Sequence, residues 1–260
     1  MDKNYKIIFV DIDWTILDHH KHDWDYESID VLKQVQQKGI LVYLNTSRPY
    51  DSIVHTGLFD VFTPDGIICT NGGVIFAGDK LIHSNVIPEP IVAKIERICS
   101  KYGLVLELAT NTERYFTAEP NEYVDNYFKV FAETIPPVKK FHNKDVSAIL
   151  LFAPESFDVK LQKLFPKETD YIRFDDHGVD VGYCRNNKGD AVVRVLTYLG
   201  IKKEEAIGAG DDLQDIDMFN EVGLSIALGN AKEEVKNAAT IVTKEISEHG
   251  VGEALKEILF

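Results

Sequence analysis

Short apolar runs alternate with amphipathic segments in both terminal parts of the chain. Three segments with apolar positions at helical spacing predict helices, at 27–39, 189–200 and 251–259. Near-continuous apolar runs are typical of strands buried on both faces. We therefore predict a doubly wound α/β fold with a parallel sheet. Its strands are KIIFV (6–10), ILVYL (40–44), GIIC (66–69), AIGA (206–209), LSIAL (224–228) and TIVT (240–243).

The middle of the chain breaks this alternation and offers a separate set of elements. Pro88 and Pro90 stand at the start of this stretch, and the polar segment CRNNKG (184–189) follows its last element. A stretch of this length can form a domain of its own. We expect an α+β insertion with helices at 90–103 and 121–133 and strands at 146–152 and 171–174. The predicted domains are a core of residues 1–82 and 184–260 and an inserted domain of residues 83–183.

The charge balance limits the kind of partner. The 260 residues include 28 Lys and Arg against 42 Asp and Glu, a formal net charge of −14. Such an acidic chain is a poor match for the phosphate backbone of a nucleic acid or for an anionic membrane surface. We therefore expect neither as a partner, and an anionic substrate would need locally placed cations.

Several features favour a cytoplasmic protein. The first residues, MDKNYK, do not resemble a signal peptide, and no apolar run approaches the roughly 18 residues of a membrane span. The three cysteines, Cys69, Cys99 and Cys184, have no CxxC spacing. An odd, sparse set of this kind is typical of reduced thiols packed in a cytosolic protein.

Two carboxylates directly follow the first predicted strand, in the stretch IIFVDIDWTILD. Residues i and i+2 of an extended segment point the same way, so Asp11 and Asp13 can face one site, with the hydroxyl of Thr15 nearby. Ligands of open parallel sheets bind beyond the carboxyl ends of the strands. The pair therefore stands where a reaction centre is expected.

Other polar side chains follow neighbouring strands or begin a helix at the same predicted edge. They are Thr46, Ser47 and Arg48 after the second strand, Lys188 at the start of a helix, and Asp211, Asp212, Asp215 and Asp217 after the fourth core strand. Two carboxylates about 4 Å apart repel by roughly 4 kcal/mol at an effective dielectric near 20. Several together need a cation, and carboxylate oxygens suit Mg²⁺. The alternative is that each acid caps a helix and faces water, which we expect of Asp212 and Asp217, but the joint occurrence of the others with Lys188 favours a site.

The order of these segments resembles a known family. DIDWT, NTSR, NKGDA and GAGDDLQD are similar to the four motifs of phosphatases of the haloacid dehalogenase superfamily. The insertion between the second and third motifs resembles the Cof-type branch, which has a large α/β cap there. TNGGVIF (70–76), IALGNAKEEVKNAATIVT (226–243) and EHGVGEAL (248–255) add to the likeness. The resemblance implies a Rossmann-like core with an inserted cap domain.

The resemblance also implies roles for matching residues. Asp11 would be the nucleophile that forms an aspartyl-phosphate, and Asp13 the general acid and then base. Thr46 and Lys188 would bind the transferring phosphoryl group, with Ser47 and Arg48 at the same edge. Mg²⁺ would be held by Asp11, the backbone carbonyl of Asp13, Asp211 and Asp215.

Two residues depart from the pattern of the branch. Trp14 stands where Gly is usual, and Gln214 stands where Asn is usual. Neither change removes a reactive group, and for Trp14 we expect packing against the cap. The nearby stretch DHHKHDWD (18–25) contains three histidines, but its spacing matches no standard zinc site, so we expect a solvated loop.

Together these features predict a Mg²⁺-dependent phosphatase of small phosphorylated metabolites. A large cap excludes bulky polymers, which favours sugar phosphates over phosphoproteins. Two alternatives stay open: a phosphomutase with the same site, and a non-catalytic protein that binds a phosphorylated ligand. The sequence leaves the individual substrate and the oligomeric state open.

Overall fold

A computed structural model describes residues 4–130, 134–173, 176–183 and 186–260. These residues form two compact units. The first unit comprises the chain up to Ser47 together with Leu58–His83 and Asn187–Phe260. The second unit comprises Arg48–Gly57 and Ser84–Asn186. The predicted division at 83 and 184 stays a prediction, and the structure adds that residues 48–57 cluster with the second unit.

Short strands alternate with helices along most of the chain. In chain order the strands are β1 (Ile7–Val10), β2 (Leu17–Asp18), β3 (Asp23–Trp24), β4 (Leu41–Asn45), β5 (Gly66–Cys69), β6 (Val74–Ala77), β7 (Lys80–Ser84), β8 (Val105–Thr110), β9 (Arg114–Phe116), β10 (Val146–Phe152), β11 (Ile172–Arg173), β12 (Gly178–Asp180), β13 (Ala206–Gly210), β14 (Leu224–Ala227) and β15 (Ile241–Val242).

The α-helices follow the same order. They are α1 (Tyr26–Gln37), α2 (Tyr50–His55), α3 (Leu58–Val61), α4 (Glu89–Lys101), α5 (Glu122–Val130), α6 (Asp158–Leu164), α7 (Lys188–Leu199), α8 (Asp215–Phe219), α9 (Glu233–Ala238) and α10 (Gly250–Leu259).

The first unit is built on one sheet with the strand order β15-β14-β13-β1-β4-β5-β6-β7. Its strands from β15 to β5 pair in parallel, which confirms the predicted α/β fold with its parallel sheet. The order places β1 between β4 and β13. The carboxyl ends of these three strands therefore meet at one edge, where the sequence predicts the site.

Helices cover both faces of this sheet, and β1 at its centre is accordingly apolar at every position. All four of its residues are fully buried. Ile7 and Phe9 face the cluster that contains Val192 and Val195 of α7. The alternating residues point to the opposite face, where α1 packs against β4 and α10.

One edge of the sheet departs from the parallel prediction, since β6 pairs antiparallel with β5. The chain reverses at Thr70–Gly72 instead of crossing over through a helix. Thr70, Asn71 and Gly72 have φ values of 49°, 53° and 97°. Backbone in this left-handed region turns the chain tightly, but apolar periodicity gives no signal for it.

The second unit contains an antiparallel sheet with the order β11-β12-β10-β8-β9. The predicted helix at 90–103 is observed as α4, which begins directly after Pro88. The predicted strand at 146–152 is observed as β10. Parts of the predicted helix at 121–133 and of the strand at 171–174 lie outside the described residues, as does Cys184.

The two described cysteines are buried free thiols, as predicted. Burial raises the pKa of the Cys69 thiol, and it raises the pKa of Cys99 to about 12. Within the described ranges, each helix is too short or too polar to cross a membrane.

The reversal after β5 also fixes the start of α7, because Gly72 lies directly against that helix. A Cβ atom at residue 72 would lie 2.8 Å from Cβ of Ala191 and 2.9 Å from the carbonyl oxygen of Asn187. Gly39 also has a positive φ, but a Cβ there would meet nothing within 4 Å. The two glycines thus separate the effect of conformation from the effect of close packing.

We expect Gly72→Ala to destabilise the protein more than Gly39→Ala does. Each substitution should cost about 1–2 kcal/mol for the left-handed backbone, and Gly72→Ala should lose about 1–3 kcal/mol more from the clash with α7. Urea unfolding of the two variants beside the wild type measures the difference. Equal losses would contradict close packing at Gly72.

Candidate active site

A cavity of about 510 Å³ lies within the first unit, at the edge where β1, β4 and β13 end. Its walls come from the segments that follow these strands, from the first residue of α7, and from the loop after β14. The lining residues are Asp11, Asp13, Trp14, His20, Ser47, Lys188, Asp211, Asp212, Gln214, Asn230 and Lys232. The structure therefore brings five of the predicted site residues to one cavity: Asp11, Asp13, Ser47, Lys188 and Asp211.

A buried ion-pair network stands at the base of this arrangement. The Lys188 ammonium donates to Oδ1 of Asp11 at 2.6 Å and to Oδ1 of Asp215 at 2.7 Å. The exposed fractions of the three side chains are 4%, 7% and 0%. Charges this deeply buried are tolerated only when they are paired. The network therefore ties the end of β1, the start of α7 and the start of α8 together.

The capping of α7 fixes the position of Lys188. Asn187 is the N-cap, and its side-chain oxygen accepts a hydrogen bond from the backbone N–H of Asp190 at 2.7 Å. Asn45, the last residue of β4, donates from Nδ2 to the carbonyl oxygen of Lys188 at 3.3 Å. The Lys188 side chain therefore extends from the first turn of a helix, and hydrogen bonds from Asn187 and Asn45 fix the backbone of that turn.

Asp215 shapes the turn between β13 and α8. Its second oxygen, Oδ2, accepts from the backbone N–H groups of Asp211 and Asp212, each at 3.0 Å. A Cβ atom at Gly210 would lie 2.3 Å from the Asp215 carboxyl carbon, so only glycine fits there. With Lys188 included, the two oxygens of Asp215 already accept three hydrogen bonds. Its predicted role as a metal ligand stays a prediction.

Asp211 points into the cavity and is oriented by Thr15. The Thr15 hydroxyl donates to Oδ1 of Asp211 at 2.8 Å. Carboxylate oxygens of Asp11, Asp211 and Asp215 all lie within 4.8 Å of one another, and this acidic group could hold a metal ion. Thr15, which follows Asp11 and Asp13 in the sequence, therefore positions the carboxylate of Asp211 from a distant part of the chain.

The crowding of acids changes their proton affinities. Burial raises the pKa of Asp11 well above its usual range, and although the charge of Lys188 opposes this, the charges of Asp215, Asp211 and Asp13 add to it. Burial likewise raises the pKa of Asp211 to about 7, against the hydrogen bond from Thr15. These carboxylates therefore favour either a proton or a further cation.

The opposite balance holds at Lys188. Burial by itself lowers the pKa of this amine, but the attraction of Asp11 and Asp215 outweighs burial and raises the pKa above its ordinary value. The lysine is therefore a permanent positive charge in contact with the most deeply buried carboxylate of the cavity wall.

Asp13 has a different environment from Asp11. Its side chain is 24% exposed, and its Oδ1 lies 2.6 Å from Nε2 of His19. The predicted solvated loop is therefore wrong at His19, which is buried, whereas His20 and His22 are exposed. A short hairpin of β2 and β3 buries His19, and the sequence of the three-histidine stretch did not predict this hairpin.

The other predicted residues have varied positions. Ser47 lines the cavity, whereas Thr46 is fully buried, with its backbone N–H donating to Ile68 and its carbonyl accepting from Asn71. Arg48 belongs to the second unit, where its guanidinium donates to the hydroxyl of Ser52 at 2.9 Å. The phosphate-binding roles of these residues stay predictions.

Sequence reasoning did not select two residues that shape the cavity. Asn230 donates from Nδ2 to the carbonyl oxygen of Trp14 at 3.0 Å and accepts from the N–H of Ile246 at 3.0 Å, so it joins two loops at the cavity. Lys232 lines the same wall. Both follow β14, and the rule that ligands bind beyond the carboxyl ends of strands could have indicated them.

The chain is similar to known proteins over nearly its whole length. A family model for haloacid dehalogenase-like hydrolases matches residues 8–255. The phosphatase YwpJ of Bacillus subtilis is 26% identical, over 98% of this chain and 100% of its own. A phosphoglycolate phosphatase of Sulfolobus acidocaldarius is 25% identical, over 98% and 96%. The solved structure of a subclass IIB sugar phosphatase has a TM-score of 0.79 at 28% identity, over 97% of this chain and 98% of that one.

The raised pKa of Asp211 predicts a pH-dependent stability in the metal-free protein. Its folded-state pKa of about 7 lies above the ordinary value of 3.8. The folded state therefore binds the proton more tightly than the unfolded state, and the free energy of unfolding falls as pH rises through this window. Relative to Asp211→Asn, the chelated wild type should lose on the order of 2–3 kcal/mol between about pH 5 and about pH 8.

Urea unfolding of both proteins at the two pH values, with chelator and with Mg²⁺, measures this difference. Mg²⁺ should restore the stability of the wild type at the higher pH, because it replaces the missing proton as the counter-charge. It should restore little in Asp211→Asn. Parallel pH profiles of the two chelated proteins would contradict the assignment.

Proposed function

The chain belongs to the haloacid dehalogenase-like hydrolases and is a phosphoric monoester hydrolase, and from this premise we propose that it hydrolyses small phosphorylated metabolites through a phosphorylated Asp11 with the help of Mg²⁺. The observation that carries the proposal is the pairing of Asp11 with Lys188 at 2.6 Å in a cavity wall that also contains Asp13 and Asp211. A nucleophile, a cation and a second carboxyl group thus lie together.

In the first proposed step, a carboxylate oxygen of Asp11 attacks the phosphorus of the substrate. The bond from phosphorus to the leaving oxygen breaks, and the carboxyl group of Asp13 gives its proton to that oxygen. Lys188 stabilises the negative charge on the phosphoryl oxygens as they move. The contact with Lys188 supports this role, because a nearby positive charge favours the ionised, nucleophilic form of Asp11.

In the second step, a water molecule attacks the phosphorus of the aspartyl-phosphate. Asp13, now ionised, takes a proton from that water, and the bond to Asp11 breaks to release inorganic phosphate. The two carboxyl groups therefore need different environments. Asp11 is buried beside Lys188, whereas Asp13 is partly exposed and contacts His19, which fits this division of roles.

The acidic residues fit a divalent cation. Asp11, Asp13, Asp211 and Asp215 together carry four negative charges when ionised, and Lys188 supplies one positive charge in contact with two of them. We propose that Asp11, the backbone carbonyl of Asp13 and Asp211 hold Mg²⁺, with Asp215 as a further ligand. When bound, this ion neutralises the phosphate and the crowded carboxylates.

We propose sugar phosphates as the substrate class. A subclass IIB sugar phosphatase shares the fold over nearly the whole chain, and the relative from Sulfolobus acidocaldarius acts on another small phosphate ester by its name. The cavity of about 510 Å³ has room for a group of that size. We also propose that the protein is cytoplasmic, a compartment that fits the buried free thiols of Cys69 and Cys99.

The test is the release of inorganic phosphate from p-nitrophenyl phosphate and from a panel of sugar and other alkyl phosphates. Turnover should need Mg²⁺ and stop with chelator. Asp11→Asn should lower kcat by at least about 10³-fold, since the nucleophile is lost. Asp217→Asn, on the exposed side of α8, is the matched control and should stay near the wild type.

Each outcome has a distinct meaning. Rapid phosphate release from a sugar phosphate, abolished in Asp11→Asn, would support the proposal. Return of the phosphoryl group to another position of the sugar without release of phosphate would identify a phosphomutase. Full activity in Asp11→Asn would contradict the nucleophile.

A further inference from the structure

The contact between His19 and Asp13 has no task of its own in the proposed steps. Nε2 of His19 lies 2.6 Å from Oδ1 of Asp13, and the exposed fraction of the histidine side chain is 7%. The two atoms lie within hydrogen-bond distance, and in the tautomer that carries its proton on Nε2 the His19 ring donates to Oδ1. This hydrogen bond fixes the rotation of the Asp13 carboxyl group about its Cβ–Cγ bond.

The local backbone makes this contact possible. The carbonyl oxygen of Ile12 accepts from the N–H groups of Thr15, Ile16 and Leu17, so the chain turns tightly directly after the first carboxylates. The turn brings β2 back beside Asp13, which forms a bridge with Leu17. His19 follows β2 and thus reaches Asp13 from six positions further along the chain.

Trp14 supports the histidine ring from the side. The two ring centroids are 5.0 Å apart, a normal distance for packed aromatic rings. Trp14 has a φ of 59°, in the left-handed region that a bulky residue adopts at a cost. Its N–H donates to the carbonyl oxygen of Leu17, and its own carbonyl accepts from Asn230. The strained conformation is therefore held by hydrogen bonds on both sides.

We propose that His19, supported by Trp14, is a positioning residue that orients the carboxyl group of Asp13 toward the leaving oxygen of the substrate. With Nε2–H of His19 donating to Oδ1, the second oxygen of Asp13 is held on one side and presents the proton to the leaving group. The inference rests on the proposed function, because it assigns a partner to the general acid of that reaction.

The dependence of rate on the leaving group distinguishes positioning from a purely structural role. An alkoxide needs a proton as it leaves, whereas p-nitrophenolate leaves without one. The ratio kcat/KM reports the step in which the ester bond breaks, and kcat also includes hydrolysis of the aspartyl-phosphate. Misplacing the Asp13 carboxyl group should therefore lower kcat/KM for alkyl phosphates selectively.

The decisive variants are His19→Phe and His19→Gln. Phenylalanine keeps a ring against Trp14 and removes the N–H donor, whereas the amide nitrogen of glutamine can replace Nε2. We expect His19→Phe to lower kcat/KM about 10-fold or more for the best alkyl or sugar phosphate, and about 3-fold or less for p-nitrophenyl phosphate. His19→Gln should recover part of the lost alkyl phosphatase activity.

The matched control is His22→Asn in the same loop. His22 is exposed and has a φ of 52°, a conformation that asparagine tolerates. The control should keep the wild-type ratio of the two kcat/KM values. The rise in melting temperature on adding Mg²⁺ should be the same in His19→Phe and the wild type, because the change affects no proposed ligand atom.

The results separate the inference from the function on which it rests. Equal losses on both esters in His19→Phe, or no loss on either, would overturn the positioning role while the wild-type activity stands. A His19→Phe protein that does not fold leaves the decision to His19→Gln: a larger loss of kcat/KM on the alkyl phosphate than on p-nitrophenyl phosphate supports the role, and equal losses on both esters, or none on either, overturn it. A wild type inactive on every ester would overturn the proposed function and this inference with it.

Discussion

The structure depends on a buried amine held between two buried carboxylates. Lys188 contacts Asp11 and Asp215, and each of these three side chains is less than a tenth exposed. Removing Lys188 would leave both buried carboxylates without their counter-charge, and breaking a buried pair in this way typically costs about 3–5 kcal/mol. The sheet order, the reversal after β5 and the capping of α7 all serve to bring these groups together. Stability and chemistry therefore share the same contacts.

The same crowding creates a demand for a cation. One lysine contacts only two of the four acids, and burial raises the pKa of both Asp11 and Asp211. A site of this kind is poorly stable while empty and ionised, and binding a divalent cation stabilises it. The raised pKa values of Asp11 and Asp211 are therefore a physical consequence of gathering several acids at one buried edge, and they link the stability of the fold to the protons or cations that this edge binds.

Apolar patterning predicted the parts of the fold in which each strand is buried on both faces. The run KIIFV became β1 within a residue, and Asp11, Asp13 and Asp211 lie at one cavity because parallel strands share an edge. The antiparallel edge formed by β6 was missed, since left-handed backbone at Thr70 and Asn71 leaves no apolar signature.

Contacts between side chains were harder to predict than strand positions. His19 stands in a polar, charged stretch that is typical of an exposed loop. The hairpin formed by the two-residue strands β2 and β3 nevertheless buries it against Asp13. The several hydrogen bonds accepted by Asp215 likewise depend on the exact path of the turn after β13. The spacing of residues in the sequence predicts which residues lie at the carboxyl edge of the sheet, but it does not predict which of their atoms are in contact there.

The proposed mechanism requires Asp11 to carry the phosphoryl group during turnover. Its most direct test is mass spectrometry of the wild-type protein, quenched in acid during hydrolysis of its best phosphate ester and then digested. We expect a phosphorylated peptide that contains residues 7–18, modified at Asp11 and missing from Asp11→Asn. Continued hydrolysis with a phosphoryl group on another residue, or with none on the protein at any time, would contradict it.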